Sequence, residues 1–197
     1  MKKIEKMATP LNQLFHHVVW TITPRPVYIV GTCNEDGTAN LSTITCVSNS
    51  PGPPENLIVT TAARRTTANI QRTGEFSVSL CNAEMAVLAD YVGSVSGEDG
   101  AKDAMAYGLT WGGNARVPVL EASPCVFECK LSYTHQIGGF HTFFGEVVNL
   151  HINANLNPPT ESREAAFKWF KELSIHEIDP LVYHSLLKYF HVGGHVG

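Results

Sequence analysis

The segment "AARRTTANI", residues 62–70, carries the side chains best suited to chemistry: Arg64 and Arg65, then Thr66, Thr67 and Asn69. It follows the apolar run "LIVTT" (57–61) and precedes Gly74, so a strand is expected to end here and a short helix to begin. Thr66 is placed to cap that helix and Gly74 to end it. A helix N-terminus offers unpaired N–H groups and a partial positive charge, which suit a phosphate. Arg64 or Arg65 adds a charge-assisted donor, while the two hydroxyls and the amide add neutral ones. A plainer alternative stands beside this one: Thr66 only caps, and both arginines face solvent.

A second segment points the same way. The strand launched by the Asp36-Gly37 turn has no clean apolar face. Leu41, Thr43, Thr45 and Val47 fall on one side, and Asn40, Ser42, Ile44 and Cys46 on the other. Small hydroxyls and amides in place of bulk imply that something other than a side-chain core packs here. Consecutive strands can bring this segment beside "AARRTTANI". Neutral donors and acceptors next to an anion site suit a flat heterocycle attached to a phosphate. No GxGxxG follows a strand and no GxxxxGK[ST] occurs, so neither a Rossmann nor a P-loop explanation applies.

The elements that must position these residues are legible in outline. "PVYIVGTC" (26–33) reads as a strand, joined by the "NEDG" turn to strand 39–47. Strand 57–61 and helix 66–73 follow, then "EFSVSL" (75–80), which alternates as a half-buried strand does. Residues 83–93 suit a helix, and the polar loop "SGEDGAKDAMAYG" leads into another short one. The stretch from Ser123 to Ile152 reads as a β-hairpin turning at Gly138-Gly139, "ESREAAFKWFKEL" (161–173) as an amphipathic helix, and "YFHVG" as a short strand. Mostly hairpin-ordered strands with helices between them predict a mainly β fold of the α+β kind. The expected form is a small closed antiparallel barrel of at least six strands. The 197 residues show no repeat or interdomain linker, so a single domain over 1–197 is expected.

Composition narrows the function. A hydrophobic content of 44%, a charged content of 16% and a net charge of -4 leave no basic excess for nucleic acid. No apolar run approaches the roughly 18 residues of a membrane span, and the N-terminus "MKKIEKMATP" leads into no apolar h-region. A cytoplasmic protein is expected. The five cysteines are odd in number and form no CxxC. Cys125 and Cys129 lie on one face of a strand, about 13 Å apart at roughly 3.3 Å per residue. That separation is too wide for a disulfide or a shared zinc, so buried thiols are expected. The pairs His16-His17 and His191…His195 have no carboxylate or thiol at ligand spacing, so no metal site is expected. Trp20, Trp111 and Trp169 read as core or interface aromatics.

The residues "PRPVYIVGT…DGTANLSTITCVSNSPGPPENLIVTT…RRTTANIQRTGEFSVSL", followed by "LADYVGSVSGEDGAKD" and "GGFHTFFGEVV", resemble the flavin reductase-like domain family and, within it, the flavoredoxin group. The resemblance runs from about residue 20 to residue 152, leaving the C-terminal helix and short strand of 160–193 less characteristic. It implies a six-stranded antiparallel split β-barrel of the FMN-binding type, decorated by short helices. It also implies a homodimer, with one noncovalent FMN per subunit near the interface. By position, Asn40, Ser42, Thr43, Ile44, Thr45 and Cys46 would border the isoalloxazine and ribityl chain. Arg65, Thr66 and Asn69 would hold the phosphate end, and Lys102 would lie on a loop close to the flavin. His141 falls where related reductases place a histidine facing the flavin or nicotinamide. From the residues alone, a hydrogen-bonded structural role for it stays equally open.

The function so implied is an FMN-binding oxidoreductase that passes a hydride or electrons from NAD(P)H, or from a reduced redox protein partner, to an acceptor. The flavin would carry the redox chemistry and the protein would orient it. This fits a chain without a Ser/His/Asp or activated-Cys pattern. The alternative is a non-catalytic FMN-binding electron-transfer or flavin-storage protein.

Overall fold

A computed structural model of the protein describes residues 24–50, 52–96, 108–184 and 188–192. Trp20, the His16-His17 pair, His195, Lys102 and the short helix expected after "SGEDGAKD" lie outside the described residues. The strands are β1 (Arg25–Pro26), β2 (Tyr28–Cys33), β3 (Ala39–Ile44), β4 (Val47–Ser50), β5 (Asn56–Ala62) and β6 (Glu75–Leu80), then β7 (Leu109–Trp111), β8 (Pro118–Leu120), β9 (Cys125–Ile137), β10 (Phe140–Ile152), β11 (Val182–Tyr183) and β12 (Tyr189–Phe190). The helices are α1 (Arg65–Thr73), α2 (Ala86–Ser94), α3 (Arg163–Glu172) and α4 (Ile175–Ile178).

Seven strands pair antiparallel in the order β3-β2-β6-β9-β10-β5-β4. The two edges of that sheet, β3 and β4, are one stretch of chain bent at Thr45 and Cys46. Near the bend the Thr60 N–H donates to the Cys46 carbonyl at 2.9 Å. One strand therefore closes the sheet on itself, pairing first with β2 and then with β5. Counted once, the bent strand gives the six-stranded split barrel that the sequence implied. Its launching turn is held as expected: Gly37 takes φ 83°, and Asp36 Oδ1 accepts from the Thr38 N–H at 2.9 Å.

Apolar side chains sort into two cores. Inside the barrel lie Val30, Ile44, Val59, Phe76, Val78, Cys129 and Phe143, joined by Ile70 of α1. Outside it, Val27, Ile29 and Leu41 pack with Leu88, Ala89 and Val92 of α2, together with Leu120 and Leu181. Ile29 and Val30 are neighbours in β2 yet belong to different cores, as a strand's alternation demands of a sheet covered on both faces. Burying each such side chain is worth roughly 1.5–3 kcal/mol. The same division resolves the mixed pattern of β3. Leu41 points to α2 and Ile44 into the barrel, so neither face of this strand meets water alone.

The β9–β10 hairpin turns at Gly138-Gly139 as expected, but its register slips at Phe144/Gly145 and again at Val147/Asn149. At the first slip an added Cβ on Gly145 would overlap the Phe76 ring and come within 2.9 Å of Cys129 Cβ. Glu128 is fully buried although it sits in an alternating strand. Its carboxylate accepts from the N–H groups of Gly113, Asn114 and Ala115 at 3.0, 2.9 and 2.7 Å and from Asn149 Nδ2 at 2.9 Å, and pairs with His151 Nε2 at 2.5 Å. Burial alone would raise its pKa, but the His151 and Asn149 bonds and the loop N–H groups outweigh it and hold the carboxyl at about 2.

In the C-terminal region Ser162 caps α3 by accepting from the Ala165 N–H at 3.1 Å, and Trp169 Nε1 donates to the Leu156 carbonyl at 3.0 Å. Phe167 and Phe170 stay exposed on α3. β12 pairs with β11, and β11 with β1, in a separate small sheet. The β7–β8 pair and α4, which carries a Ser174/Glu177 capping box, were not anticipated.

Candidate functional site

The start of α1 departs from expectation. Its cap position is Arg64, in extended backbone, and no side chain caps the helix. Thr66 sits one step inside the first turn, and its hydroxyl accepts from Asn40 Nδ2 at 3.0 Å instead of capping. Thr67 Oγ1 donates back to the Ala62 carbonyl at 2.8 Å. With both hydroxyls turned to structural partners, the first-turn N–H groups keep their capacity for a ligand. Gly74 ends the helix as expected, with φ 69° and its N–H on the Ile70 carbonyl.

A buried polar network ties this helix to the strands. Asn40 Nδ2 also donates to Thr32 Oγ1 at 3.1 Å. Asn69 Nδ2 donates to Thr32 Oγ1 at 3.1 Å and to Asn34 Oδ1 at 2.9 Å. Asn69 is thus a brace for α1, and its amide donors are already used.

Beside the N-terminus of α1 opens a cleft of about 430 Å³, within the usual range of small-molecule sites. One wall is the bent strand, with Asn40, Ser42, Thr43, Ile44, Thr45 and Cys46. The second is the end of β5 and the start of α1, from Thr60 to Thr66. The third is the end of α2, from Val92 to Ser96, and Phe140 lines it as well. Thr43 has a structural duty too. Its hydroxyl donates to the Ala89 carbonyl, and a Cβ on Gly93 would stand 3.1 Å from Thr43 Cβ. Glycine at 93 lets α2 lie close on β3 and form the third wall.

Cys46 is half-buried, and Arg25 Nη1 donates to its sulfur at 3.5 Å. No charged residue stands beside Cys46 in sequence, and the fold brings one there. Burial nonetheless dominates over the guanidinium, so the pKa stays above the ordinary thiol value. All five cysteines are free. Burial pushes Cys81 and Cys129 up to about 12 and Cys125 to about 11.

Of the residues expected at the site, the cleft brings together Asn40, Ser42, Thr43, Ile44, Thr45, Cys46, Arg65 and Thr66. Asn69 and His141 line a different hollow, of about 670 Å³, on the other side of the α1 start. Arg64 and Arg65 line both. The sequence reading assigned no role to Thr60–Ala63, to Gly93–Ser96 or to Phe140. The run "VGSVS" at a helix end carried a signal, since small residues after an apolar helix permit close approach. Phe140 carried none.

A six-stranded barrel closed by a bent strand, with a polar cleft leading to an uncapped helix start, is a split barrel of the flavin reductase type. The chain belongs to the family of the flavin reductase like domain, whose model matches residues 20–186. An uncharacterized protein of Deinococcus radiodurans is 28% identical over 161 residues, covering 74% of this chain and 69% of that protein. The flavoredoxin of Methanosarcina acetivorans superposes with a TM-score of 0.77 at 24% identity, covering 100% of this chain and 94% of that one. An FMN-binding protein of Thermus thermophilus, solved with bound p-hydroxybenzaldehyde, gives a TM-score of 0.75 at 20% identity, covering 100% of this chain and 99% of that one.

Proposed function

We propose that this protein is an FMN-dependent oxidoreductase that passes a hydride or electrons from NAD(P)H, or from a reduced protein carrier, to an acceptor. The observation that carries this reading is the cleft itself: a wall of small polar side chains ending at an uncapped helix start flanked by two arginines. Arg65 and the first-turn N–H groups would hold the phosphate, with Thr66 and Asn69 keeping the helix in place behind them. The residues from Ser42 to Cys46 would border the ring and ribityl chain. Bound FMN would supply the redox chemistry, and the protein would orient it and leave one face open. The family and the FMN-binding Thermus protein support this choice of flavin.

The experiment is an absorption spectrum of the purified protein followed by anaerobic titration with NADH and NADPH. A flavin spectrum bleached by either nucleotide, or by a reduced redox protein, is the expected result. A protein that neither carries nor takes up FMN would overturn the reading.

The same reading makes the protein a homodimer in the cytoplasm. Tyr133, Ile137, Phe167 and Phe170 are all more than half exposed, apolar surface of the kind a partner subunit covers. No helix among the described residues is long and apolar enough to cross a membrane. Light scattering should give twice 21.5 kDa; a value of 21.5 kDa with flavin bound would exclude the dimer.

A further inference from the structure

A charge at the far end of the cleft carries an inference that rests on the FMN reading. Asn40 touches Thr66 at the start of α1. Cys46 lies six residues further along the bent strand, up to about 20 Å away at roughly 3.3 Å per residue. With the phosphate at α1, the flavin ring belongs to the Cys46 end. There Arg25 Nη1 donates to Cys46 Sγ at 3.5 Å. Cys46 lines the cleft and Arg25 does not, so the guanidinium sits behind the thiol.

The fold builds this placement. Pro24 and Pro26 flank Arg25 and restrict its backbone. Arg25 pairs with Tyr183 of β11. Next to it, the Val27 N–H donates to the Leu181 carbonyl and the Val27 carbonyl accepts from the Cys81 N–H, both at 2.9 Å. The Arg25 side chain is half-buried, so water and salt screen its charge only in part. A phosphate at α1 has no use for a cation here, because Arg64 and Arg65 already flank that end. The thiol has none either. Burial keeps it protonated, so it carries no charge to offset the guanidinium.

What changes charge at this end is the ring. Two electrons and one proton, taken up as a hydride or from a protein carrier, leave it one negative charge richer. A fixed cation nearby stabilises that state over the neutral oxidised one. We propose that Arg25, seated against Cys46, raises the reduction potential of the bound flavin and tightens the protein's hold on its reduced form. Arg25 acts by its field across the thiol and holds no proton or substrate itself.

The test is a reductive titration of FMN-loaded parent, Arg25→Gln and Arg25→Lys against a reference dye. Removing the charge should shift the balance from reduced towards oxidised flavin about tenfold, a fall of about 30 mV for a two-electron couple. Dissociation constants should show the same tenfold loss for reduced FMN, while oxidised FMN is held as in the parent. Arg25→Lys keeps the charge and should stay near the parental potential. Arg25→Met preserves the packed stem and takes the place of the glutamine variant should that one fail to fold. A parental or higher potential without the charge overturns the proposal. An equal fall in the lysine variant overturns it too, since that would mark a packing role. A parent that takes up no FMN fails the cleft reading, and this proposal with it, before any variant is compared.

Discussion

Asn40 on β3 donates its amide to the Thr66 hydroxyl on α1 across 3.0 Å, bridging 26 residues of sequence. The same amide reaches Thr32 at 3.1 Å, and Asn40 itself lines the cleft. The bond locks the start of α1 to the polar wall of the cleft.

Asn40→Ala should therefore lower both stability and flavin affinity. Removing the donor leaves the buried Thr66 hydroxyl without its partner, while Thr32 keeps the Asn69 amide, at a cost of about 1–3 kcal/mol, a fall of roughly 2–12 °C in Tm for a chain of this size. Asn40→Asp keeps the shape and can accept from the threonine hydroxyls, so its Tm should fall less. Its added negative charge should nonetheless weaken FMN binding more than the alanine does. Thermal unfolding with and without FMN checks both effects, and identical behaviour of the two variants would rule out a link between this bond and the cleft.

Arg65→Ala should weaken FMN binding about tenfold or more without unfolding the protein, because the side chain is exposed and supports no core. A charge-assisted hydrogen bond is worth roughly 1.5–3 kcal/mol, or about ten- to a hundredfold in affinity. Riboflavin, which lacks the phosphate, should bind parent and variant alike. Arg64→Ala is the control for the neighbouring guanidinium. Unchanged dissociation constants in both variants would reduce the pair to a solvated surface feature.

Cys46→Ser should keep most of the flavin reduction rate. Burial holds the thiol in its protonated, weakly nucleophilic form despite the Arg25 guanidinium, and the serine hydroxyl fits the same space. Cys46→Trp should fill the cleft and block flavin uptake. Stopped-flow reduction of the serine variant decides the point. Loss of turnover with FMN still bound would make the thiol part of the reaction.

Glu128 should give the protein a defined acid limit. Its folded pKa of about 2 lies below the ordinary value of 4.5, so its contribution is complete above about pH 4.5 and is lost as pH falls towards about 2. The difference corresponds to about 3 kcal/mol at neutral pH. Glu128→Gln places an amide N–H₂ among groups that already donate, so it should lose that amount or more at pH 7. The gap between parent and variant should narrow below about pH 3. Urea unfolding at pH 7, 4 and 2.5 measures it, and a gap independent of pH would remove the carboxylate from the account.

Much of the fold was legible from local pattern. β6 spans the residues that alternate in sequence, and α1, the Asp36-Gly37 turn and the Gly138-Gly139 hairpin fall where turn chemistry and period place them. The polar run from Asn40 to Cys46 and the donors of "AARRTTANI" were legible too, because residue type alone showed that they were ill suited to an ordinary core. Local signals of this kind need only neighbours in sequence to be read. Tertiary structure decided the rest. The bend at Thr45 and Cys46 makes one strand both edges of the sheet, and α2 on Leu41 explains why β3 has no water-facing side. Thr66 gives up the cap because Asn40 reaches it first, and the register of β10 turns His141 to the far side of α1. The loop at 113–115 makes Glu128 a buried anion. Each of these outcomes depends on which distant residue arrives to offer a hydrogen bond or a packing face, and only closure of the barrel sets those arrivals.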